Sequence, residues 1–152
     1  MKLLFSVGLL SVVPAAAFLT TLSKLTRLQK TGHFSAIESD LFFTNIKDEK
    51  ISKLGIGTWA WGDKFYWNYN SSQDASLQAT YNLTVDYGIN FFDTAEIYGN
   101  GRSEILVGRF LRQYNQDIKT PIALATKFCP FPWRTGKDSV VTACQDSLDR
   151  MG

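Results

Sequence analysis

Phe91-Phe92-Asp93-Thr94-Ala95-Glu96-Ile97-Tyr98-Gly99, with Ala125-Thr126-Lys127-Phe128 further on, decides how this chain folds. Each stretch ends an almost continuous apolar run (from Ile89 and from Ile122) with a charged residue, Asp93 and Lys127. That is the pattern of a short strand, buried on both faces, whose C-terminal tip opens at a wet mouth.

Working outward, helical periodicity separates such strands. Leu77, Tyr81 and Val85, with Thr84, recur at one-face spacing over about 73–87. Ser71 or Ser72 is the expected cap, and Gly88 the expected stop. Ser103 is expected to cap a second helix with Ile105, Leu106, Phe110 and Leu111 inward. A third should start at Asp138 or Ser139, bury Val140, Val141, Cys144 and Leu148, and end at Gly152. Lys53-Leu54-Gly55-Ile56-Gly57-Thr58-Trp59 reads as the strand before the first helix, and Pro121 opens the one at 122–128. Upstream, Leu41 to Thr44 and Ile51 flank a polar turn, which suggests a small hairpin. A strand–helix rhythm repeated three times means parallel strands. Two architectures fit, a doubly wound open sheet and a (β/α) barrel, and both place the site at the strands' C-terminal ends.

The first forty residues read as an address. Lys2, the apolar run Leu3 to Val13, and Pro14-Ala15-Ala16-Ala17 make a secretory signal over 1–17. The run is shorter than the ~20 apolar residues that span a bilayer, so no stable membrane association is expected after processing. Residues 18–40 begin with a basic, hydroxyl-rich stretch (Lys24, Arg27, Lys30; Thr20, Thr21, Ser23, Thr26, Thr31, Ser35) that has no acid before Glu38, as in transit peptides. The two-part layout resembles plastid presequences of algae with complex plastids, with secretion as the alternative. His33, the single histidine, falls inside it. From residue 38 onward 12 basic residues face 14 acidic ones, so the formal +2 belongs to the address and nothing argues for nucleic acid. Cys129 and Cys144 lack any Cys-x-x-Cys spacing and read as free buried thiols; no metal site is expected. Two Asn-x-Ser/Thr matches, at Asn70 and Asn82, read as chance.

The chemistry lies at the strand tips. Adjacent strands run about 4.8 Å apart, so Asp93 and Lys127 can meet, the carboxylate keeping the ammonium charged and directed. A nearby cation favours phenolate over phenol, so Lys127 is expected to ready Tyr98 to give a proton. Such a phenol can protonate a carbonyl oxygen while hydride reaches the carbon.

Phe92-Asp93-Thr94-Ala95-Glu96-Ile97-Tyr98-Gly99, Gly101-Arg102-Ser103-Glu104, Leu106-Val107-Gly108-Arg109 and Ala125-Thr126-Lys127, in that order, resemble the first third of an aldo-keto reductase. Gly55-Ile56-Gly57-Thr58-Trp59 is similar to that family's first barrel strand. Trp61-Gly62-Asp63 with Tyr66-Trp67, and Lys127-Phe128 to Pro132-Trp133-Arg134, resemble its plastid members. The resemblance covers roughly 51–152. It implies a partial (β/α)8 TIM barrel over 41–152, limited to the first three strand–helix units, and NADP(H)-dependent reduction of a small-molecule carbonyl, an aldehyde or ketone. It assigns Tyr98 as proton donor, Lys127 as its partner, and Asp93 to orienting Lys127 beside the nicotinamide ribose. Thr58 and Trp59 would border the nicotinamide. The aromatic loop Trp61 to Trp67 would wall the substrate pocket, with packing the expected role for any single member. The family's catalytic histidine, which ends a fourth strand, has no counterpart in 38–152, so this piece is expected to be inactive by itself. Two other readings compete: Gly55-x-Gly57-x-x-Ala60 as a Rossmann phosphate loop, though its glycines lead into aromatics rather than a helix, and a non-catalytic reductase-like barrel that senses a cofactor or binds a partner.

Overall fold

The computed structural model describes residues 2–6, 43–46, 49–114 and 121–152. The Ala-x-Ala site, the hydroxyl-rich stretch and His33 lie outside the described residues. The strands are β1 (Lys2–Ser6), β2 (Phe43–Ile46), β3 (Glu49–Ser52), β4 (Ile56–Gly57), β5 (Phe91–Asp93) and β6 (Ala123–Lys127). The helices are α1 (Asp74–Asp86), α2 (Arg102–Gln113) and α3 (Lys137–Met151).

β2 and β3 form the expected antiparallel hairpin, Phe43 opposite Ser52 and Ile46 opposite Glu49. Asn90 bolts it beneath the main sheet: its side-chain amide donates to the carbonyls of Lys50 and Pro121 (both 2.9 Å) and accepts from Ser52 N (2.8 Å). The main sheet runs β1-β6-β5-β4, and all its pairings are parallel. β1 is unexpected. It comes from the stretch read as a signal peptide, and it pairs along the outer edge of β6 with Lys2 opposite Ala123 and Ser6 opposite Lys127. An open edge offers unpaired N–H and C=O groups to any extended segment that can reach them.

The sheet's faces choose between the two architectures. Phe92 and Leu124 are register partners and share one face. Against them pack Tyr81 from α1, Leu106, Val107 and Phe110 from α2, and Met151 from α3. All three helices therefore cover the same face, whereas a doubly wound sheet would divide them between two. The chain forms the open arc of a (β/α) barrel. Its concave face, by strand alternation, carries Phe91, Asp93, Ala123, Ala125 and Lys127.

Several local expectations change. Asn70, not Ser71 or Ser72, caps the first helical segment: its side chain accepts from Ser72 N while Gln73 reaches back to Asn70 N, a reciprocal box closing a 3-10 turn at Ser71–Gln73. Ser103 caps nothing. Gly101 occupies the cap position, and Ser103 lies buried inside α2. Ile105 faces out, and Val107 takes its place in the core. α3 starts at Lys137, exposes Val140 and Val141, and turns Ala143, Ser147 and Met151 inward. The reason is proximity. A Cβ on Gly108 would lie 2.2 Å from the Met151 carbonyl oxygen, so α2 and α3 nearly touch and small residues line the seam. Cys129 and Cys144 are free, and half-buried rather than buried. The first helix keeps its expected face, with Tyr81 and Thr84 buried and Leu77 and Val85 packed at the margin.

The core is aromatic. Tyr81 stacks on Phe92 (centroids 4.7 Å, 22°), and Trp61 meets Phe110 edge-on (5.7 Å, 63°). Burying each ring contributes about 1.5–3 kcal/mol. Tyr81 adds a defect: its hydroxyl is buried with no hydrogen-bond partner among the described residues, and burial pushes its pKa far up. An unpaired buried hydroxyl costs about 1–3 kcal/mol. Tyr81→Phe in the full-length protein should therefore raise the urea midpoint by about 1 kcal/mol equivalent with no change in m-value. A destabilised variant would show that the hydroxyl has a partner.

Candidate active site

Register positions the site. Gly57 pairs with Asp93 and Asp93 with Ala125, so Lys127 extends two residues past the level of the carboxylate. Its ammonium reaches back across the strand gap to Asp93 Oδ2 (2.6 Å) and donates to the Thr94 carbonyl (2.8 Å). A third contact, 3.4 Å, goes to the Tyr98 hydroxyl, and the ammonium lies 4.9 Å from that ring's centroid. The side chains of Lys127 and Asp93 are only 13% and 20% exposed, so neither charge could stay there without the other. The structure thus brings together Asp93, Tyr98 and Lys127.

The turn that returns Tyr98 over the mouth depends on two contacts. Tyr98 N donates to the Ala95 carbonyl (3.0 Å) and Ser103 N to the Tyr98 carbonyl (3.2 Å). Gly99 follows at φ +56, where a Cβ would sit 2.5 Å from the Gly62 carbonyl oxygen. This left-handed close approach requires glycine, and it seats the Tyr98 turn directly on the aromatic loop.

Thr58 and Trp59, at the tip of β4, take different places. Thr58 is fully buried: its N–H and hydroxyl donate to the Asp93 carbonyl (2.9 and 3.1 Å). Trp59 is exposed and stacks on Tyr98 (6.0 Å, 25°), with Tyr66 and Trp67 against its other sides. The aromatic loop divides likewise. Trp61 and Tyr69 belong to the core, whereas Phe65, Tyr66 and Trp67 stand in solvent. Asp63 turns the loop by accepting from the N–H groups of Phe65 (2.8 Å) and Tyr66 (2.9 Å). Tyr69 hands its hydroxyl to Asp74 (2.5 Å), which also holds Arg109 (2.7 Å). Burial pushes the Asp74 carboxyl up, but the bonds from Tyr69 and Arg109 outweigh it and leave the group below its ordinary range.

Beneath the mouth lies a polar layer that the sequence reading missed. Ser103 Oγ donates to the Thr58 carbonyl (2.9 Å), accepts from Thr94 Oγ1 (3.0 Å) and lies 2.8 Å from Thr58 Oγ1. Glu104, fully buried, accepts from Arg150 Nε (2.5 Å) and from the Thr126 hydroxyl. Ser103 and Glu104 therefore tie α2 to the tips of β4, β5 and β6 and to α3. Glu96 and Arg134 were also missed. Glu96 Oε1 accepts from Arg134 Nη1 and from Cys129 N (both 2.5 Å), and this bond raises the Arg134 pKa further above its high ordinary value. The available signal was an acid inside the Asp-to-Tyr turn facing a lone cation in a proline- and aromatic-rich loop.

Comparison with known proteins agrees with the fold. The chain is 44% identical over 108 residues to a chloroplastic pyridoxal reductase of Arabidopsis thaliana, covering 66% of this chain and 29% of that protein. It is 36% identical over 118 residues to an aldo-keto reductase of Bacillus subtilis, covering 72% and 34%. Among solved structures, an aldo-keto reductase from Klebsiella pneumoniae in complex with NADPH superposes with a TM-score of 0.53 at 30% identity, covering 67% of this chain and 32% of that one. A glycerol dehydrogenase from Gluconobacter oxydans gives 0.56 at 28% identity, covering 72% and 36%. The chain spans about a third of the length of these relatives. Residues 53–152 match the model of the aldo/keto reductase family, and the chain belongs to that family.

Proposed function

We propose that these residues form the proton-donating part of an NADP(H)-dependent reductase that converts an aldehyde or ketone to an alcohol. The contact of the Lys127 ammonium with both Asp93 and the Tyr98 hydroxyl carries the reading. Bound NADPH supplies the hydride that the carbonyl carbon takes up. Tyr98 donates a hydrogen bond to the carbonyl oxygen and releases its proton there as that oxygen gains charge. The phenolate left behind faces Lys127, whose own charge is fixed by Asp93. NADP(H) rather than another carrier is supported by the Klebsiella pneumoniae relative, a complex with NADPH. The residues present fit it: Trp59 is partly exposed beside Tyr98, Thr58 is buried and bonded to the Asp93 carbonyl, and the Asp93 carboxylate stands at the mouth where a ribose hydroxyl could meet it.

The substrate class we propose is a planar aromatic aldehyde. Trp59, Tyr66 and Trp67 crowd the mouth with flat apolar surface, and the Arabidopsis thaliana relative is a pyridoxal reductase. For localisation we propose a plastid, reached by the signal of 1–17 and the transit stretch of 18–40, with secretion as the alternative; the chloroplastic relative supports it. Residues 1–40 fused to a fluorescent protein should mark the plastid in an algal host with complex plastids. Accumulation in the medium would support secretion instead.

In the full-length protein, Tyr98→Phe should cut kcat for NADPH-dependent aldehyde reduction by about 10²–10⁴-fold, the contribution of a positioned proton donor, with NADPH affinity retained. Asp93→Asn should cost about tenfold to a hundredfold, because it leaves Lys127 without its counter-charge. Unchanged turnover in Tyr98→Phe would exclude this chemistry, and a wild-type protein that binds NADPH without turnover would favour a cofactor-sensing role. Residues 38–152 expressed alone should show no aldehyde-dependent NADPH oxidation; turnover by that piece would mean that the groups described here suffice.

A further inference from the structure

The loop after β6, residues 128–136, has almost no regular structure, yet it carries the most exposed stacked pair at the mouth: Phe131 and Trp133, 4.8 Å apart and within 4° of parallel. Trp133 is 75% exposed. Pro130 and Pro132 stiffen the backbone on either side of Phe131. The ties across come from Glu96. Its side chain is 8% exposed and accepts from Cys129 N at the loop's start and from Arg134 Nη1 near its end. Arg134 Nη1 also donates to the Cys129 carbonyl (3.2 Å), and the guanidinium lies over Phe128 and Phe131 (5.1 and 5.9 Å to the centroids). Charge-assisted bonds to a desolvated carboxylate are the strong kind. Glu96 is also two residues from Tyr98, in the turn that presents the proton donor.

We infer that Glu96 is a positioning residue: through Arg134 and Cys129 it locks the loop after β6 to the Tyr98 turn and holds Phe131–Trp133 as a flat wall that selects planar aromatic carbonyls. The inference rests on the carbonyl-reductase reading. A substrate too small to lie along that wall does not depend on it. Loss of Glu96 therefore affects binding of an aromatic substrate far more than the chemical step.

The test uses the full-length protein with NADPH and two probes, 4-nitrobenzaldehyde and propanal. Glu96→Ala should raise KM for 4-nitrobenzaldehyde about tenfold or more with kcat within about twofold, the mark of lost ground-state binding. Its kcat/KM for propanal should change by less than about twofold. Trp133→Ala removes only the exposed ring and should reproduce the same split. Glu96→Gln, which keeps an acceptor for Cys129 N, should fall between wild type and Glu96→Ala. Equal losses for both aldehydes in Glu96→Ala would make the residue merely structural and overturn the inference. So would an unchanged KM for 4-nitrobenzaldehyde in Trp133→Ala, even if Glu96→Ala failed to fold. A wild-type protein that reduces neither aldehyde would overturn the reductase reading itself. A wild type active on both with indifferent variants would overturn only the role of Glu96.

Discussion

An ammonium held out of bulk water between two strand tips constrains everything around it. The Lys127 side chain is mostly buried, and a charge there is tolerable only when its donors are matched. Asp93 supplies the counter-charge, the Thr94 carbonyl a second acceptor and Tyr98 a third. Those three partners fix the pairing of β5 with β6, the path of the chain at Thr94 and the return of the turn that carries Tyr98. A one-residue slip of β6 would move Lys127 to the opposite face, against Phe92 and the helices, and would turn Leu124 out of the core. The requirement that satisfies the buried charge is therefore the same one that brings Asp93, Tyr98 and Lys127 together.

Much of this was legible because it was written as interruption. Apolar runs broken by a charge at Asp93 and Lys127 announced strand tips, and their order announced parallel strands. Strand and helix rhythm left barrel and doubly wound sheet open, because the choice depends on which face of the sheet each helix covers; the family resemblance of the strand-tip motifs is what pointed to the barrel. Phe92 and Leu124 lie on one face, and every helix packs there. The helix faces misled for a different reason. Large aliphatic residues such as Val140 and Val141 draw the eye, yet α2 and α3 approach so closely at Gly108 that Ala143 and Ser147 are what fit inside. Hydrophobic periodicity reports where apolar surface can be buried. It does not report how near a neighbouring backbone will come.

Ser103 shows a second limit. A serine before an apolar run has the look of a helix cap, and only the folded chain reveals its neighbours. Gly101 already starts α2, so the hydroxyl is free to bond the Thr58 carbonyl and to meet the hydroxyls of Thr58 and Thr94. These are tertiary partners far apart in sequence, and no local rule names them. Glu104 is the same kind of residue: an acid in the first turn of a helix suits the helix dipole, but its complete burial is explained by Arg150 and Thr126.

That polar layer has a consequence for the site above it. Hydrocarbon packing tolerates exchange of similar shapes, so an apolar layer beneath the strand tips would hold them together without holding them in one alignment. Hydrogen-bonded groups are less forgiving, since any shift that breaks a bond leaves a buried polar atom unpaired at about 1–3 kcal/mol. Ser103 links β4 to the segment after β5, and Glu104 links β6 to α3, so sliding β4, β5 or β6 breaks at least one such bond. The 3.4 Å separation of Lys127 and Tyr98 is held by this layer as well as by the ion pair at the mouth. The alignment of the loop-borne groups at the mouth is therefore supplied from below, by residues buried beneath the strand tips.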